Sequence, residues 1–322
     1  MDYVTTGIKL LSGSSHLDLA NEIADRLGMH LCDAELGKFS DGETSIRVNE
    51  TVRGQDVYLI QPTSNPVNDH LMELMILADA MKRASAGSIT AVLPYYGYAR
   101  QDRTTRARDP ISAKLVADLM TASGINRVLT MELHCAQIQG FFNIPVDHLK
   151  GSPVLVSYYM EKFQEKTSEL VVVSPDLGSV ARSRDFAQAM NLPLAIVDKR
   201  RPQDNVSEVM NIIGDVDGKD ALLVDDMIDT AGTICNAADA LKERGAKHVY
   251  ACCTHPVLSG PAIERIEASA IEELVVLNTI KIPQEKLLPK MKLLSVAPIF
   301  ADAIYRIHSN LPVSKLFSLV SM

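Results

Sequence analysis

Short apolar runs, many of them β-branched, recur along the whole chain, each separated from the next by a stretch with helical spacing. They fall at residues 57–60, 89–93, 128–131, 171–173, 195–197, 222–224, 249–252 and 274–277. Runs this short read as strands, and the lengths between them match what a helical crossover between parallel neighbours requires. The alternation predicts an α/β fold in which mostly parallel sheets are flanked by helices. It also predicts where chemistry sits, because a parallel sheet presents ligands at the carboxyl ends of its strands.

An internal echo sets the number of domains. Residues 78–94 read ADAMKRASAGSITAVLP, and residues 238–256 read ADALKERGAKHVYACCTHP. Both run from a helix end, through a small-residue turn, into a strand closed by proline. Upstream of them stand VYLIQPTSNP and ALLVDDMIDTAGT, each carrying a further strand. The halves read as diverged copies of one domain. A length of 322 residues agrees with two domains. Gly151-Ser152-Pro153 is a reasonable join, so the expected division is 1–150 and 151–322.

Composition removes several classes of function. A chain that is 47% hydrophobic and 22% charged can bury a full core. Its net charge of −8 argues against nonspecific nucleic-acid binding, which needs a basic face, but leaves small anionic ligands open. No apolar run approaches the roughly 20 residues of a membrane span. The first residues, MDYVTTGIKLLSGSSHLDLA, lack the basic start and apolar core of a secretory signal. The five cysteines are odd in number and have no zinc-like spacing. Adjacent Cys252 and Cys253 would point to opposite faces of a strand, which makes them poor disulfide partners. A reduced, cytoplasmic protein with no membrane or nucleic-acid partner is expected.

Residues 221–233, ALLVDDMIDTAGT, carry the sharpest chemical signal. An apolar run stops at Asp225, Asp226 and Asp229, small and hydroxyl residues follow, and an apolar stripe resumes through Ile234, Ala238 and Leu241. Backbone N–H groups at such a helix start attract phosphate, and Gly232 lets the chain approach it closely. Asp225 and Asp226 are placed to accept hydrogen bonds from sugar hydroxyls. An Asp-Thr helix cap explains the turn alone. It does not explain two adjacent acids, whose like charges repel and lose water. A sugar-phosphate site is the expected use.

Further segments carry weaker signals, each with a plain structural explanation beside the chemical one. Residues 38–47, KFSDGETSIR, contain the turn signal Asp41-Gly42 and read as a hairpin. There Phe39 offers an aromatic platform for a base, with Asp41 and Glu43 as hydrogen-bond acceptors, unless the segment is only a surface turn. Residues 95–110, YYGYARQDRTTRARDP, gather Arg100, Arg103, Arg106 and Arg108 in an acidic protein. Guanidinium forks match phosphate oxygens, although a solvated loop is the usual fate of a charge run. His134 follows the run 128–131 and, with Glu132 and Asp147 near in sequence, could help organise a Mg²⁺-bound phosphate chain. A lone histidine is more often structural. Residues 174–184, SPDLGSVARSR, form a second small-residue anion turn with Asp176 available to metal. DKRRP at 198–202 groups Lys199, Arg200 and Arg201, positive charge of the kind a transferring phosphoryl group needs.

Taken in order, FSDGE, ARQDR, ELHCAQIQGFF, SPDLGSV, DKRRP and VDDMIDTAGT closely resemble the ribose-phosphate diphosphokinases, or phosphoribosyl-pyrophosphate (PRPP) synthetases, most nearly the bacterial class I type. The resemblance runs over essentially the whole chain, to SVAPIFADAIYRIH. It implies two similar type I phosphoribosyltransferase-like domains, the first contacting ATP and the second binding ribose 5-phosphate. It also implies a reaction in which the anomeric hydroxyl attacks the β-phosphorus of Mg-ATP to give PRPP and AMP. Carried onto this sequence, Phe39, Asp41 and Glu43 would contact ATP from a neighbouring subunit, and Arg100 and Gln101 would hold it. His134 and Asp176 would be the Mg²⁺ positions. Asp225, Asp226, Asp229, Thr230, Ala231, Gly232 and Thr233 would bind ribose 5-phosphate. Lys199 and Arg201, with His134, would act in catalysis. A homohexamer built from dimers and regulation by phosphate and ADP are further implications.

The sequence departs from the family's pattern at several positions. Glu132 and Asn143 stand where many relatives carry Asp, which weakens a second metal site. Ser179 replaces the last glycine of SPDxGG, adding a Cβ and a hydroxyl donor. Pro312 opens PVSKLF where SVSYLF is common. It removes a hydroxyl and an N–H from a region that, with Thr51-Val52-Arg53, binds phosphate and ADP in relatives. Two other readings stay open. A PRPP-consuming phosphoribosyltransferase would share residues 225–233 but not need the first half or DKRRP. A non-catalytic regulatory subunit would be expected to lose catalytic residues that are present here.

Overall fold

A computed structural model describes residues 6–164, 169–200 and 209–316. They form two compact units. The first takes the chain up to Lys150, together with Thr279–Lys281 and the stretch from Ser295. The second holds Gly151–Asn278 and Ile282–Leu294.

In the first unit, strand β1 (Ile8–Ser12) leads into helix α1 (Leu17–Leu27), and a hairpin follows, β2 (Ala34–Lys38) antiparallel to β3 (Thr44–Val48). Then come β4 (Asp56–Ile60), α2 (Val67–Arg83), β5 (Ser88–Leu93), α3 (Ser112–Ser123), β6 (Arg127–Met131) and β7 (Val146–Leu149). The sheet order is β1-β4-β5-β6-β7, with every pair parallel. Helices cover such a sheet on both faces, which is why β4 and β5 are almost wholly apolar and buried. In α1, Leu19, Ala20, Ile23, Ala24 and Leu27 recur at helical spacing and are all buried. The helix stops at Gly28, whose φ of 66° closes a left-handed cap.

The second unit repeats this plan. It contains α4 (Ser152–Phe163), β8 (Leu170–Ser174), α5 (Val180–Met190), β9 (Leu194–Arg200), β10 (Val209–Ile213), β11 (Asp220–Ile228), α6 (Gly232–Glu243), β12 (His248–Pro256), α7 (Ala262–Ala268), β13 (Glu273–Leu277) and β14 (Met291–Leu294). Its order is β10-β9-β8-β11-β12-β13-β14, parallel except for the edge strand β10. Strands β8, β11, β12, β13 and β14 follow the order of β1, β4, β5, β6 and β7. The echoed segments occupy matching places, α2 into β5 and α6 into β12. Each unit also inserts an antiparallel pair between the helix that follows its first strand and the strand, β4 or β11, that pairs in parallel with that first strand. In the first unit that pair is the separate hairpin β2–β3, and in the second it is β9–β10, which extends the sheet.

One boundary differs from the sequence expectation. The division at 150–151 assigned everything beyond to the second domain, but helix α8 (Ala297–His308) packs on α1 in the first unit. Its apolar side, including Ile299, Phe300 and Ile304, is buried. His308 fixes its end: Nδ1 lies 2.9 Å from Asp56 Oδ2 and Nε2 lies 3.0 Å from the Thr6 carbonyl. A helix goes where its stripe is covered, whatever its place in sequence.

All five cysteines are free thiols, and Cys252 and Cys253 are buried in β12. Among the described residues no helix is long and apolar enough to cross a membrane.

Candidate active site

The acid pair owes its setting to an overhang. β11 pairs with β8 only as far as Leu223 opposite Val173, but with β12 as far as Ile228 opposite Pro256. The strand thus runs past Asp225 and Asp226, where the sequence had it stop. On the β8 side the acids meet the turn between β8 and α5 instead of another strand. Ser179 Oγ donates to Asp225 Oδ1 at 2.8 Å, and the Ser179 N–H donates to Asp176 Oδ1 at 2.9 Å. The Asp226 N–H also donates to Asp225 Oδ1, at 2.9 Å. Arg182, in the first turn of α5, holds Nη1 3.6 Å from Asp225 Oδ1 and 3.4 Å from Asp226 Oδ1.

These contacts set the electrostatics. Burial, the neighbouring Asp226 charge and a hydrogen bond to it push Asp225 up to about 7, against the opposing effects of Ser179 and Arg182. Two adjacent carboxylates largely withdrawn from water resist full ionisation, and a ligand donating hydroxyl hydrogens to them favours the charged form. Arg182 and the hydroxyl of Ser179 were missed as partners of the acids. Both stand in the quoted SPDLGSVARSR, but only the fold brings that segment against β11.

The turn from β11 into α6 supplies the other half of the site. No side chain caps the α6 N-terminus, so its first N–H groups are not claimed by a capping residue. The left-handed residue is Ala231, with φ 60°, and not Gly232. A Cβ on Gly232 would meet only Arg265 Nη1, at 3.4 Å. Arg265, from α7, donates to the Thr230 carbonyl at 2.9 Å and adds positive charge beside the turn. Thr230 is exposed and Thr233 half-buried, with Ile234, Ala238 and Leu241 beneath them in the core as their spacing predicted.

Of the DKRRP segment, the backbone of Lys199 lies near the end of β9, opposite Met210 of β10. Arg201 lies outside the described residues.

In the first unit, a cleft of about 700 Å³ is lined by Asn65, Asp69, Tyr95, Tyr98, Arg100 and Gln101, among others. Gly97 in this wall is dictated by close approach, since a Cβ there would stand 2.5 Å from the Thr63 carbonyl oxygen. Ser112, in the first turn of α3, donates to Gln101 Oε1 and orients that amide. Arg103, Arg106 and Arg108 remain exposed on a loop tied by Asp109, which accepts from the Arg106 N–H at 2.7 Å and from Thr105 Oγ1 at 2.8 Å. The structure therefore divides the arginine cluster, bringing only Arg100 into the cleft wall with Gln101. The β2–β3 tip forms as the Asp41-Gly42 signal predicted. Phe39 is 58% exposed there, and Asp41 Oδ1 accepts from the Glu43 N–H at 3.1 Å. Lys38, at the end of β2, ion-pairs with Asp69 of the cleft wall.

His134 is half-buried in the bend after β6. Its expected acidic companions are engaged elsewhere. Glu132 is buried, with a left-handed φ of 43° and Oε1 3.6 Å from Lys150 Nζ. Asp147 lies within β7 and pairs with Arg127 at 2.6 Å. The His134–Glu132–Asp147 grouping read from sequence is thus corrected, because strand pairing draws both acids to lysine or arginine. His134 belongs to the first unit and Asp176 to the second. Among the described residues, no group of three or more His, Cys, Asp or Glu side chains gathers as a metal cluster.

Comparison with known proteins agrees with this layout. Residues 8–124 match the N-terminal domain of ribose phosphate pyrophosphokinase, and residues 199–318 match the phosphoribosyl synthetase-associated domain. The ribose-phosphate pyrophosphokinase of Clostridium perfringens is 64% identical over 317 residues, 98% of this chain and 99% of the relative. That of Bacillus subtilis is 56% identical over 316 residues, with 98% and 99% coverage. A solved phosphoribosylpyrophosphate synthetase from Mycobacterium smegmatis, 41% identical, superposes with a TM-score of 0.90 over 95% of this chain and 100% of that one. A similarity that spans both units leaves no room for a single-domain phosphoribosyltransferase. The chain belongs to the ribose-phosphate pyrophosphokinase family.

Proposed function

We propose that the protein transfers the diphosphoryl group of Mg-ATP to the 1-hydroxyl of ribose 5-phosphate, forming PRPP and AMP. The observation that carries this reading is the acid pair of half-buried Asp225 and buried Asp226 beside an uncapped helix start. It offers acceptors for ribose hydroxyls and N–H donors for a phosphate. In this reading Asp225 and Asp226 accept from the ribose hydroxyls, and the turn from Asp229 through Thr230, Ala231, Gly232 and Thr233 holds the 5-phosphate. Arg100 and Gln101 hold ATP in the first unit's cleft, and Phe39, Asp41 and Glu43 contact adenosine from the hairpin of a neighbouring subunit. Exposure of the Phe39 ring supports that last assignment. Lys199 and Arg201 neutralise charge on the group in transfer.

Of the two proposed donors, the carboxylate suits Mg²⁺. Asp176 offers a hard carboxylate oxygen on a turn and His134 an imidazole at a strand end. Mg²⁺ keeps several waters and takes phosphate oxygens, so it needs few protein ligands. When bound it offsets the negative charge of the diphosphoryl group. The remaining work falls to the chain's own residues, which position two anionic substrates and keep the attacking hydroxyl in line.

We read the assembly as a hexamer built from dimers and the location as cytoplasmic, in keeping with the free thiols. Phosphate activation and ADP inhibition are assigned to Thr51-Val52-Arg53 and the segment from Pro312, whose carbonyl accepts from Arg306 Nη1 at 3.3 Å. Since Pro312 lacks an N–H donor, we expect weak activation. The test of the function is formation of AMP and PRPP by the purified protein from Mg-ATP and ribose 5-phosphate. No AMP, with or without added phosphate, refutes it.

A further inference from the structure

We infer that Ser179 is a positioning residue that holds Asp225 in the orientation a ribose hydroxyl requires; the inference rests on the reading of Asp225 as a ribose acceptor. Ser179 sits at the N-cap of α5, yet its side chain makes no capping bond to that helix. Its hydroxyl instead crosses to β11 and donates to Asp225 Oδ1 at 2.8 Å. Three contacts converge on this one oxygen: Ser179 Oγ, the Asp226 N–H at 2.9 Å and Arg182 Nη1 at 3.6 Å. Together they fix the rotation of the carboxylate and so the direction of its second oxygen. Ser179 is 5% exposed and its own N–H is fixed on Asp176, so neither end of the bridge is free to swing.

The first unit supplies an internal comparison. In its corresponding turn, Ser15 Oγ donates to Gln61 Oε1 at 2.6 Å. The hydroxyl-to-strand bond is thus common to both units, but only in the second does it end on a carboxylate. A bond to the charged form of Asp225 favours that form, while Asp226 on the same strand opposes it and Arg182 of α5 supports it. On β12, opposite Asp225, lies the buried thiol of Cys253.

The test compares Ser179→Ala, Ser179→Gly and Ser179→Thr in the full-length protein, with Asp225→Asn and Ser15→Ala alongside. Ala and Gly should raise the KM for ribose 5-phosphate alike, by about 5-fold, as for one lost hydrogen bond. They should leave kcat and the KM for ATP close to wild type and move the acid limb of the pH profile for ribose 5-phosphate to higher pH. Thr, which keeps a hydroxyl, should recover most of the affinity, and Ser15→Ala should leave all of these values alone. Unchanged KM and pH profile in the Ala variant, with Asp225→Asn strongly impaired, would overturn the role of Ser179 and leave the ribose site standing. If Asp225→Asn itself leaves the ribose 5-phosphate KM unchanged, the underlying reading fails and the inference with it.

Discussion

The two units answer the same strand-end problem in opposite ways. Gln61 and Asp225 are counterparts, because Ile60 opposes Val92 just as Val224 opposes Cys252 in the echoed strands. Around Gln61 the protein satisfies its own polar groups. Glu73 of α2 accepts from the Ser14 N–H at 2.6 Å, from Ser14 Oγ at 2.9 Å and from Gln61 Nε2 at 2.7 Å. With Ala78 aligned on Ala238, Glu73 falls on Thr233, in the turn proposed to hold phosphate in the second unit. The same alignment puts Val67, where α2 begins, on Met227, which is still strand. The first unit has wound its turn into helix and filled it with its own carboxylate. The second keeps a short helix start and a pair of acids, one of them pushed up to about 7. Buried polar groups need partners: the first unit supplies them from its own chain, and in the proposed reading the second shares its acids with a ligand.

The largest effect should come at the antiparallel pair that the first unit keeps out of its sheet. Lys199→Ala should cut kcat by roughly 10²-fold or more, as for the loss of one oriented charge donor. The KM for ribose 5-phosphate should hardly move. A comparable rise in that KM would turn Lys199 into a binding residue. Next, Asp225→Ala should weaken ribose 5-phosphate binding by roughly 10- to 100-fold, the cost of a lost charged acceptor. Its counterpart Gln61→Ala should leave that binding intact and lower stability by about 1–3 kcal/mol, since it orphans Ser15 and part of Glu73. If Gln61→Ala impaired ribose 5-phosphate more than Asp225→Ala, the comparison would be reversed. Phe39→Ala should raise the KM for ATP by roughly 10-fold, in the range of one lost base–aromatic stack.

The smallest effect is a pH dependence that separates folding from binding. The folded value of Asp225 lies above the usual 3.8, so the native state keeps a proton that the unfolded chain releases. Its stabilising contribution is full below about 3.8 and is lost as pH rises through about 7. Ribose 5-phosphate binding needs the acceptor form and should strengthen over the same rise. Denaturation and kcat/KM measured between pH 5.5 and about 8 should therefore move in opposite directions at this site, and Asp225→Asn should flatten both. Parallel trends in the wild type would contradict the assignment.

The fold was largely legible because its signals are local. All eight apolar runs lie in strands, and Asp41-Gly42 makes its hairpin. The strands not picked out, β1, β7, β10 and β14, are short, edge-placed or mixed in character, so period and composition mark them weakly. Helix α8 was assigned to the wrong unit because its stripe shows only that it packs, not on what. At the site, 225–233 announced itself through one continuous run of residues. The contacts that give it meaning come from far along the chain: Ser179 and Arg182 reach Asp225 across the β8–β11 neighbourhood, and Arg265 reaches Thr230 from α7. Glu73 gave no signal, since an acid inside an amphipathic helix reads as a solvated face. It is instead buried at the strand end.

In the proposed division of labour, the second unit holds ribose 5-phosphate and the first holds ATP. Steady-state kinetics with both substrates varied, on Asp225→Asn and Phe39→Ala side by side, test it most directly. A double dissociation is expected, in which the first variant raises only the KM for ribose 5-phosphate and the second only the KM for ATP. Variants that raise both constants together, or each the other's, would contradict it.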